Sequence, residues 1–425
     1  SRKVVEGNLY IPIRGVNNNG HAFVKQAIDN GAKAVLWERR EPNPPKEVTV
    51  ILVEDTTKAL QDLARAYRNQ LDMKVIGITG SNGKTSTKDI VASLMAQHYI
   101  TQKTMGNFNN EIGVPLTLLS FSQNVEVGVV EMGMENLGEL SFLTNLVRPD
   151  IAIITNVGTA HLENLGSMEN IARAKVEIAE GLRDGGMLIY NGDQPLLKDA
   201  LRAAQLSGGI ALRSFGTQQG NDYIVHEVCQ QKEGLSFYIN DVACHLDMIG
   251  KHQAMNATAA WIAAKALQVC EAEALKGFES IEKTGLRNEL VSFDQALILN
   301  DSYKSNPQSA LAALDTLEEF DIPYKLAVLG DMLELGETSD QIHYQLGKDL
   351  KNYHLQEVLT IGDMARYTAQ AAFNELHDVY IRHFVNKEEL YSYLKPYGKK
   401  ECMILIKGSR GMKLDELVDW LVKGE

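Results

Sequence analysis

Residues 75–89, "VIGITGSNGKTSTKD", set a lysine and a threonine at the end of a glycine loop that follows an apolar run. The backbone N–H groups of such a loop can wrap phosphate oxygens, and the helix N-terminus behind it adds positive potential. In that chemistry Lys84 would neutralise the β- and γ-phosphates of a nucleoside triphosphate, and the Thr85 hydroxyl would bind a magnesium ion. Gly80, Ser81, Asn82, Gly83 and Ser86 complete the cradle. The strict motif has a glycine five positions before Gly83, where Ile78 stands; the nearest glycine is Gly80. A chance glycine turn would show similar letters. Strand, loop, helix and Lys-Thr in succession favour a bound nucleotide.

Two more groups stand where such a ligand would need them. Glu131 closes the apolar run "VEVGVVE", and His161 lies in "TNVGTAHLENLG", after the next such run. Either alone reads as an ordinary solvated carboxylate or a structural histidine. At the ends of two successive strands downstream of a phosphate loop, they read as metal ligands. Lys175 is less expected. In "ENIARAKVEIAEGL", a helix turning about 100° per residue has an inward stripe of Ile171, Ile178 and Leu182, with Lys175 in its middle. A buried lysine is costly when charged and tends toward the neutral amine. The pattern fits a stem snorkelling from the core edge as well as it fits a functional, modified lysine.

Other polar clusters follow apolar runs. "GKHQAMNATAA" sets His252 and Asn256 one turn apart on one helix face, either a base-recognition pair or a plain polar helix start. Arg287, in "TGLRNEL", sits at a domain boundary from which a cation could reach phosphates across a cleft. "NDSYKSNPQSA" (300–310) and "KGSRGMKLDEL" (407–417) each follow a strand and read as surface loops or as ligand loops. "GNFNNEIGVP" (106–115) holds Asn107, Asn109 and Asn110, more amides than a simple turn requires, which favours recognition of a polar substrate.

The elements that must position these residues alternate strand and helix, the mark of parallel sheets with crossovers. "LYIPI", "AVLW" and "VTVILV" lie in a small α/β unit, with "EPNPP" as a surface turn; the glycine loop opens a second unit. Its strands are "VEVGVVEM", "DIAIITN" and "GMLIYN", with an antiparallel addition over 222–248 and a helix over 251–268. "STKDIVASLMAQ" is expected as an amphipathic helix behind the loop. A third unit carries "ALILN", "KLAVLG", "EVLTIG" and "CMILIKG". The expected boundaries are 1–72, 73–285 and 286–425, in keeping with 425 residues at about 150 per domain.

Composition narrows the function classes. A formal net charge of −13 offers no basic field for nucleic acid. Cys229, Cys244, Cys270 and Cys402 form no C-x-x-C pair and read as reduced, mostly buried thiols of a cytosolic protein. No apolar run approaches the roughly 18 residues of a membrane span. The opening "SRKVVEGNLY" is not a signal peptide, and its lack of a methionine points to a start upstream of Ser1.

Taken together, the T-G-x-N-G-K-T loop, "EMGM", "TNVGTAHLENLGS", "IARAKVEI", the His–Asn helix, Arg287 and "LIKGSR" resemble the Mur ligases of bacterial cell-wall synthesis over nearly the whole chain. "GNFNNEIGVP", "DSYKSNP" and "VLGDMLELGE" are similar to the member acting last in the cytoplasm. The resemblance implies an α/β fold of three domains. These are a small N-terminal UDP-binding domain, a central P-loop ATPase-like domain with a parallel sheet, and a C-terminal Rossmann-like domain. It implies an ATP- and Mg²⁺-dependent ligase, cytoplasmic and monomeric, that joins D-alanyl-D-alanine to UDP-N-acetylmuramoyl-tripeptide through an acyl phosphate, releasing ADP and phosphate.

By the same resemblance Lys84 and Thr85 hold ATP–Mg²⁺, Glu131 and His161 serve the metals, and Lys175 is a site of carbamylation that would make it a metal ligand. Asn256, Arg287 and Asp301 would contact the nucleotide. Ser1, Arg2, Asn107, Asn109, Asn110, Thr155, Tyr303 and Asn306 would face the substrates. Lys304, Gln253 and Ser86 depart from the family pattern, which has asparagine, asparagine and threonine there, and the segment that normally precedes Ser1–Arg2 is absent. The alternatives are another ligase of the superfamily, such as a different Mur ligase or a folylpolyglutamate synthase, a nucleotide-binding protein without turnover, and a P-loop kinase.

Overall fold

Apolar runs too short for helices and bounded by turn residues become strands, and among the described residues these gather into three sheets. The computed structural model describes residues 3–15, 18–206, 208–231 and 233–424. Ser1 and Arg2, assigned above to substrate, lie outside them. The first sheet pairs β1 (Leu9–Tyr10), β2 (Ala34–Glu38) and β3 (Thr49–Val53) in parallel. Here "LYIPI" yields only two residues, because Pro12 has no N–H to donate to a ladder.

The second sheet is built from β4 (Lys74–Thr79), β5 (Thr101–Lys103), β6 (Val127–Glu131), β7 (Ile151–Ile154), β8 (Met187–Asn191), β9 (Ala211–Gly216), β10 (Tyr223–Gln230), β11 (Leu235–Ile239) and β12 (Val242–Leu246). Their order is β12-β11-β10-β9-β8-β7-β4-β6-β5, parallel from β5 to β10 and antiparallel beyond. β6 and β7 are buried along their whole length, as parallel strands covered on both faces must be. β4 lies between β6 and β7, so the loops after these three strands meet at one end of the sheet.

The third sheet comprises β13 (Glu289–Phe293), β14 (Ala296–Asp301), β15 (Lys325–Gly330), β16 (Glu357–Ile361), β17 (Tyr380–Phe384) and β18 (Met403–Lys407). Its order is β13-β14-β18-β15-β16-β17, parallel except for β13. Among the described residues no helix is long and apolar enough to cross a membrane. Cys244 and Cys402 are buried, but Cys229 and Cys270 are exposed, so half of the thiols rather than most are interior.

Two helices differ from expectation. The helix behind the glycine loop, Lys84–Ala96, is buried from Thr85 to Met95 and has no solvent face. It lies between the sheet and the helices Gln253–Ala266 and Glu271–Phe278, so the amphipathic pattern expected of a surface helix does not apply. The Lys175 helix runs only over Met168–Val176 and gives way to a 3₁₀ turn at Glu177–Gly181. Thr144 Oγ1 donates to the Ile178 carbonyl at 2.7 Å, which takes that oxygen from a continuing helix. Ile171 and Ile178 stay buried, whereas Leu182 is only half-buried and off the stripe.

The N-terminal sheet packs around Tyr10, Ala27, Ala32, Val35 and Trp37. The helix that follows it, Thr56–Arg68, is shared. Its first residue, Thr56, donates from Oγ1 to the Pro12 carbonyl at 2.6 Å. Its later residues belong to the central core: Ala64 packs with Leu71 and Met73, and Tyr67 Oη donates to the Phe121 carbonyl at 2.7 Å. The fully buried Arg68 donates to the carbonyls of Val147 at 2.8 Å and Arg148 at 3.2 Å, filling orphan acceptors at another helix's C-terminus.

Glu38 anchors the N-terminal unit. Its buried carboxylate accepts from Arg14 Nε at 2.9 Å and Arg40 Nε at 2.8 Å. Burial would raise this carboxyl, but hydrogen bonds from Arg40, Arg14 and Thr56 outweigh it and hold it at about 2 rather than 4.5. A depressed acid adds stability that is complete above the unfolded value and is lost as pH falls through the folded one. Glu38→Gln is therefore expected to cost this unit about 1–2 kcal/mol near neutral pH, the arginine partners being solvent-screened. The deficit should persist down to pH 4.5 and vanish near pH 2. Hydrogen exchange of the β2 amides across that window measures it; a deficit unchanged at pH 2 would disprove it.

Candidate functional site

The register of the central sheet sets Glu131 opposite Ile78, one residue before the strand that enters the glycine loop ends. The Thr85 hydroxyl therefore reaches the Glu131 carboxylate and donates to Oε2 at 2.9 Å, while Asn109 Nδ2 donates to Oε1 at 2.8 Å. Glu131 is 1% exposed and shares its carboxylate between a loop residue and the asparagine-rich segment. Lys84 folds back on its own loop and donates to the carbonyls of Gly80 at 2.6 Å and Ser81 at 3.4 Å. Burial lowers its ammonium to about 8, with Lys304 and Arg287 pushing the same way against Glu131.

The loop is braced from below. Ser81 Oγ accepts from Gly158 N–H at 2.8 Å, Asn82 N–H donates to Asn156 Oδ1 at 2.9 Å, and Thr155 Oγ1 donates to the Asn82 carbonyl at 2.6 Å. Gly83 takes φ +80°, and a Cβ there would stand 2.6 Å from Asn256 Oδ1, so glycine is required twice over. Asn256 in turn donates to Gln253 Oε1 at 2.8 Å, and Gln253 Nε2 lies 3.4 Å from Ser86 Oγ. His252 stands at the N-cap of the same helix with helical backbone angles, one turn before Asn256. Its Nε2 lies 3.3 Å from Asn288 Nδ2 in the C-terminal domain.

His161 adopts φ +64°, the left-handed region that a non-glycine residue enters at some cost. Burial, then the nearby Lys304, Lys175 and Lys84, lower its imidazolium to about 3, so the ring is neutral and free to ligate. Lys175 is 1% exposed and its Nζ has no hydrogen-bond partner among the described residues. Burial, with Lys84 and Lys304, drives it well below the usual lysine range, toward the neutral amine.

The C-terminal domain meets this surface with the same ends of its own strands. Asp301 at the end of β14 pairs in register with Lys407 at the end of β18, and Lys407 Nζ reaches Asp301 Oδ2 at 2.5 Å. The Arg287 guanidinium stacks 4.1 Å over the Tyr303 ring, and its Nε is buried without a hydrogen-bond partner among the described residues. Asn306 Nδ2 donates to Asn82 Oδ1 at 2.8 Å. Lys304 Nζ stands 3.5 Å from His161 Nε2, and Glu334 Oε2 3.6 Å from His161 Nδ1. The two domains enclose a cleft of about 1090 Å³ lined by the loop, Glu131, His161, Arg287 and Tyr303.

Of the sequence candidates, Lys84, Thr85, Glu131, His161, Asn256, Arg287, Asp301 and Tyr303 converge on this cleft. Lys175 stands behind its wall. Of the asparagines, Asn107 is exposed toward the cleft, Asn109 binds Glu131, and Asn110 accepts from Gly113 N–H at 2.9 Å, starting the next helix. Gln308, Glu334 and Lys407 were not singled out from sequence. Lys407 alone carried a signal, as the one charge ending the apolar run "CMILIK".

The donor set fits a phosphate-bound magnesium ion. Among the described residues no three His, Cys, Asp or Glu side chains form a ready cage. One buried carboxylate and one hydroxyl, with a neutral imidazole beside them, suit a hard cation that keeps water and phosphate oxygens for its remaining positions, whereas the Lys175 amine as it stands is no ligand for such an ion.

Comparison with known proteins covers the chain in three parts. Residues 1–68 match the Mur ligase family catalytic domain, 78–264 the Mur ligase middle domain, and 286–410 the Mur ligase glutamate ligase domain. The UDP-N-acetylmuramoyl-tripeptide–D-alanyl-D-alanine ligase of Bacillus subtilis (strain 168) is 42% identical across 100% of this chain and 92% of that protein. A crystal structure of MurF from Acinetobacter baumannii superposes with a TM-score of 0.89 at 29% identity, covering 99% of this chain and 92% of that one. The Thermotoga maritima MurF ligase in complex with ADP gives 0.85 at 27% identity, over 99% and 96%.

Proposed function

This chain belongs to the Mur ligase family, and from that premise we infer that it joins D-alanyl-D-alanine to UDP-N-acetylmuramoyl-tripeptide at the expense of ATP, in the making of peptidoglycan. The observation that carries the reading to the residues is the meeting of the glycine loop with Glu131, His161 and Arg287 around one cleft.

The difficulty of the reaction is to bring an anionic carboxylate onto an anionic phosphate. The tripeptide carboxylate attacks the γ-phosphorus, the bond to ADP breaks, and an acyl phosphate results. The amine of the dipeptide then attacks the acyl carbon, loses a proton, and phosphate leaves. In this reading Lys84 releases its loop carbonyls and turns its ammonium to the phosphates, and the loop N–H groups accept the charge that develops in transfer. Thr85 and Glu131, with His161 and a carbamylated Lys175, would hold magnesium, which when bound offsets the charge of the phosphate oxygens. The neutral Lys175 amine is the form that adds CO₂, turning an orphaned base into an anionic ligand. Asn256 and Arg287 would flank the nucleotide, Asp301 would fix the loop that bears Tyr303, and the asparagine segment would face the muramoyl peptide.

Phosphate release from ATP, with the two substrates given singly and together, tests the reading. Release is expected only with both, alongside a UDP-linked product heavier by one dehydrated dipeptide. Release supported by glutamate or lysine in place of D-alanyl-D-alanine would refute it.

A further inference from the structure

The loop helix carries, one turn behind Thr85, two charged residues that the reaction above leaves unused. Lys88 and Asp89 are 0% and 2% exposed. Asp89 Oδ2 accepts the backbone N–H of Thr284 at 2.8 Å, and its Oδ1 takes Lys103 Nζ at 2.9 Å. Lys103 also donates to the Glu282 carbonyl at 3.0 Å. Lys88 Nζ lies 3.5 Å from both Asp89 Oδ1 and Thr284 Oγ1, and donates to the Gly106 carbonyl at 3.3 Å. Farther along the same helix, Ser93 Oγ donates to the Gly277 carbonyl at 2.8 Å and Gln97 Nε2 to Ser280 Oγ at 3.1 Å.

The contacts to Ser280, Glu282 and Thr284 share a target. Residues 279–288 connect the last helix of the central domain to β13 and carry no strand or helix of their own. A groove of about 470 Å³ runs beside them, lined by Asp89, Lys103, Ser280 and Glu282. Ile281 is the linker's apolar contact with the core, so its course depends on the polar ties. Past Thr284 the geometry changes: Leu286 and Asn288 both take positive φ, +67° and +46°, on either side of Arg287.

We propose that Asp89 is a positioning residue, which pins the central-domain end of the interdomain linker at Thr284 and, with Lys88, ties it to the Gly106 loop. The pivot of the C-terminal domain then begins at Gly285. The loop helix, the asparagine segment and the fixed end of the linker form one rigid body, and the approach of Asn306 to Asn82 and of Lys304 to His161 is referred to it. The kinetic consequence rests on the ligase reading above; the mechanical one does not.

Asp89→Asn keeps the shape and an acceptor for Thr284 N–H but gives up the charge facing two lysines. Native-state trypsin cleavage at Lys283 or Arg287 is expected to quicken at least tenfold. The kcat for ligation should fall at least tenfold, with KM for ATP held within twofold, because the nucleotide loop itself is untouched. Lys103→Met, at a partly exposed position, should quicken cleavage about threefold and covers the case in which Asp89→Asn does not fold. Unchanged linker cleavage in the folded variants would overturn the clamp. Faster cleavage with an unchanged kcat would overturn the positioning role and leave a merely structural tie. Wild-type protein without ligase activity would sink the substrate reading while the cleavage comparison still decides the clamp.

Discussion

Lys84→Met is expected to lower ligation by about 10²–10³-fold, the usual cost of removing one preorganised donor from a site of developing negative charge. Methionine keeps the length and loses the cation, together with its hydrogen bonds to the Gly80 and Ser81 carbonyls. The loop should survive the change, since Ser81, Asn82 and Thr155 brace it without help from Lys84. The effect is large because the lysine is held where its charge is least comfortable. Burial, Lys304 and Arg287 bring its ammonium down to about 8, and an arriving phosphate relieves all three at once. Steady-state turnover and calorimetric ATP binding, beside an unchanged melting temperature, measure the effect. A variant retaining a tenth of the wild-type kcat would show that the loop N–H groups suffice.

Lys175→Met should move activity and stability in opposite directions. Activity is expected to fall by at least about 10²-fold, as when one charge-stabilising group is lost. Stability is expected to rise by about 1–3 kcal/mol, because a buried amine with no partner is replaced by an apolar chain of similar length. Ile171, Ala172 and Ile178 already surround the position with apolar surface. In wild-type protein, stripping dissolved CO₂ should reduce turnover and bicarbonate should restore it, with intact mass rising by one CO₂. A Met variant that melts below wild type would mean that the amine has a stabilising partner, and CO₂-independent turnover would remove carbamylation from the mechanism.

The legible parts of this molecule were those with a local cause. The glycine loop announces itself because an apolar run, small residues and Lys-Thr must stand in sequence to cradle a phosphate. Glu131 and His161 were legible because neighbouring parallel strands end together. Edge and short strands were not. β17 exposes much of its length and the three residues of β5 are half-buried throughout, and their polar letters carry no period-two signal above the surrounding loops. β13 is half exposed and reads like the linker before it. Lys175 was visible as a misfit in an apolar stripe, although the helix gave way after Val176, where Thr144 captures the Ile178 carbonyl. Glu334 and Gln308 had no local cause at all. They acquire a role only when two sheets, distant in sequence, turn their strand ends toward one another.

The shared helix Thr56–Arg68 bears on how such chains can be cut and recombined. By sheet topology the first module ends before Asp72; by packing it ends near Asp55. A graft with its seam at Asp72 would carry the helix away, leaving the Val147 and Arg148 carbonyls without their guanidinium and Phe121 without its phenol. With the seam at Asp55, what must be rebuilt is the joint of Thr56 with Pro12 and Glu38. The first module is thus a replaceable head on a beam that belongs to the body, and its partner specificity can be exchanged without reopening the core that holds the nucleotide.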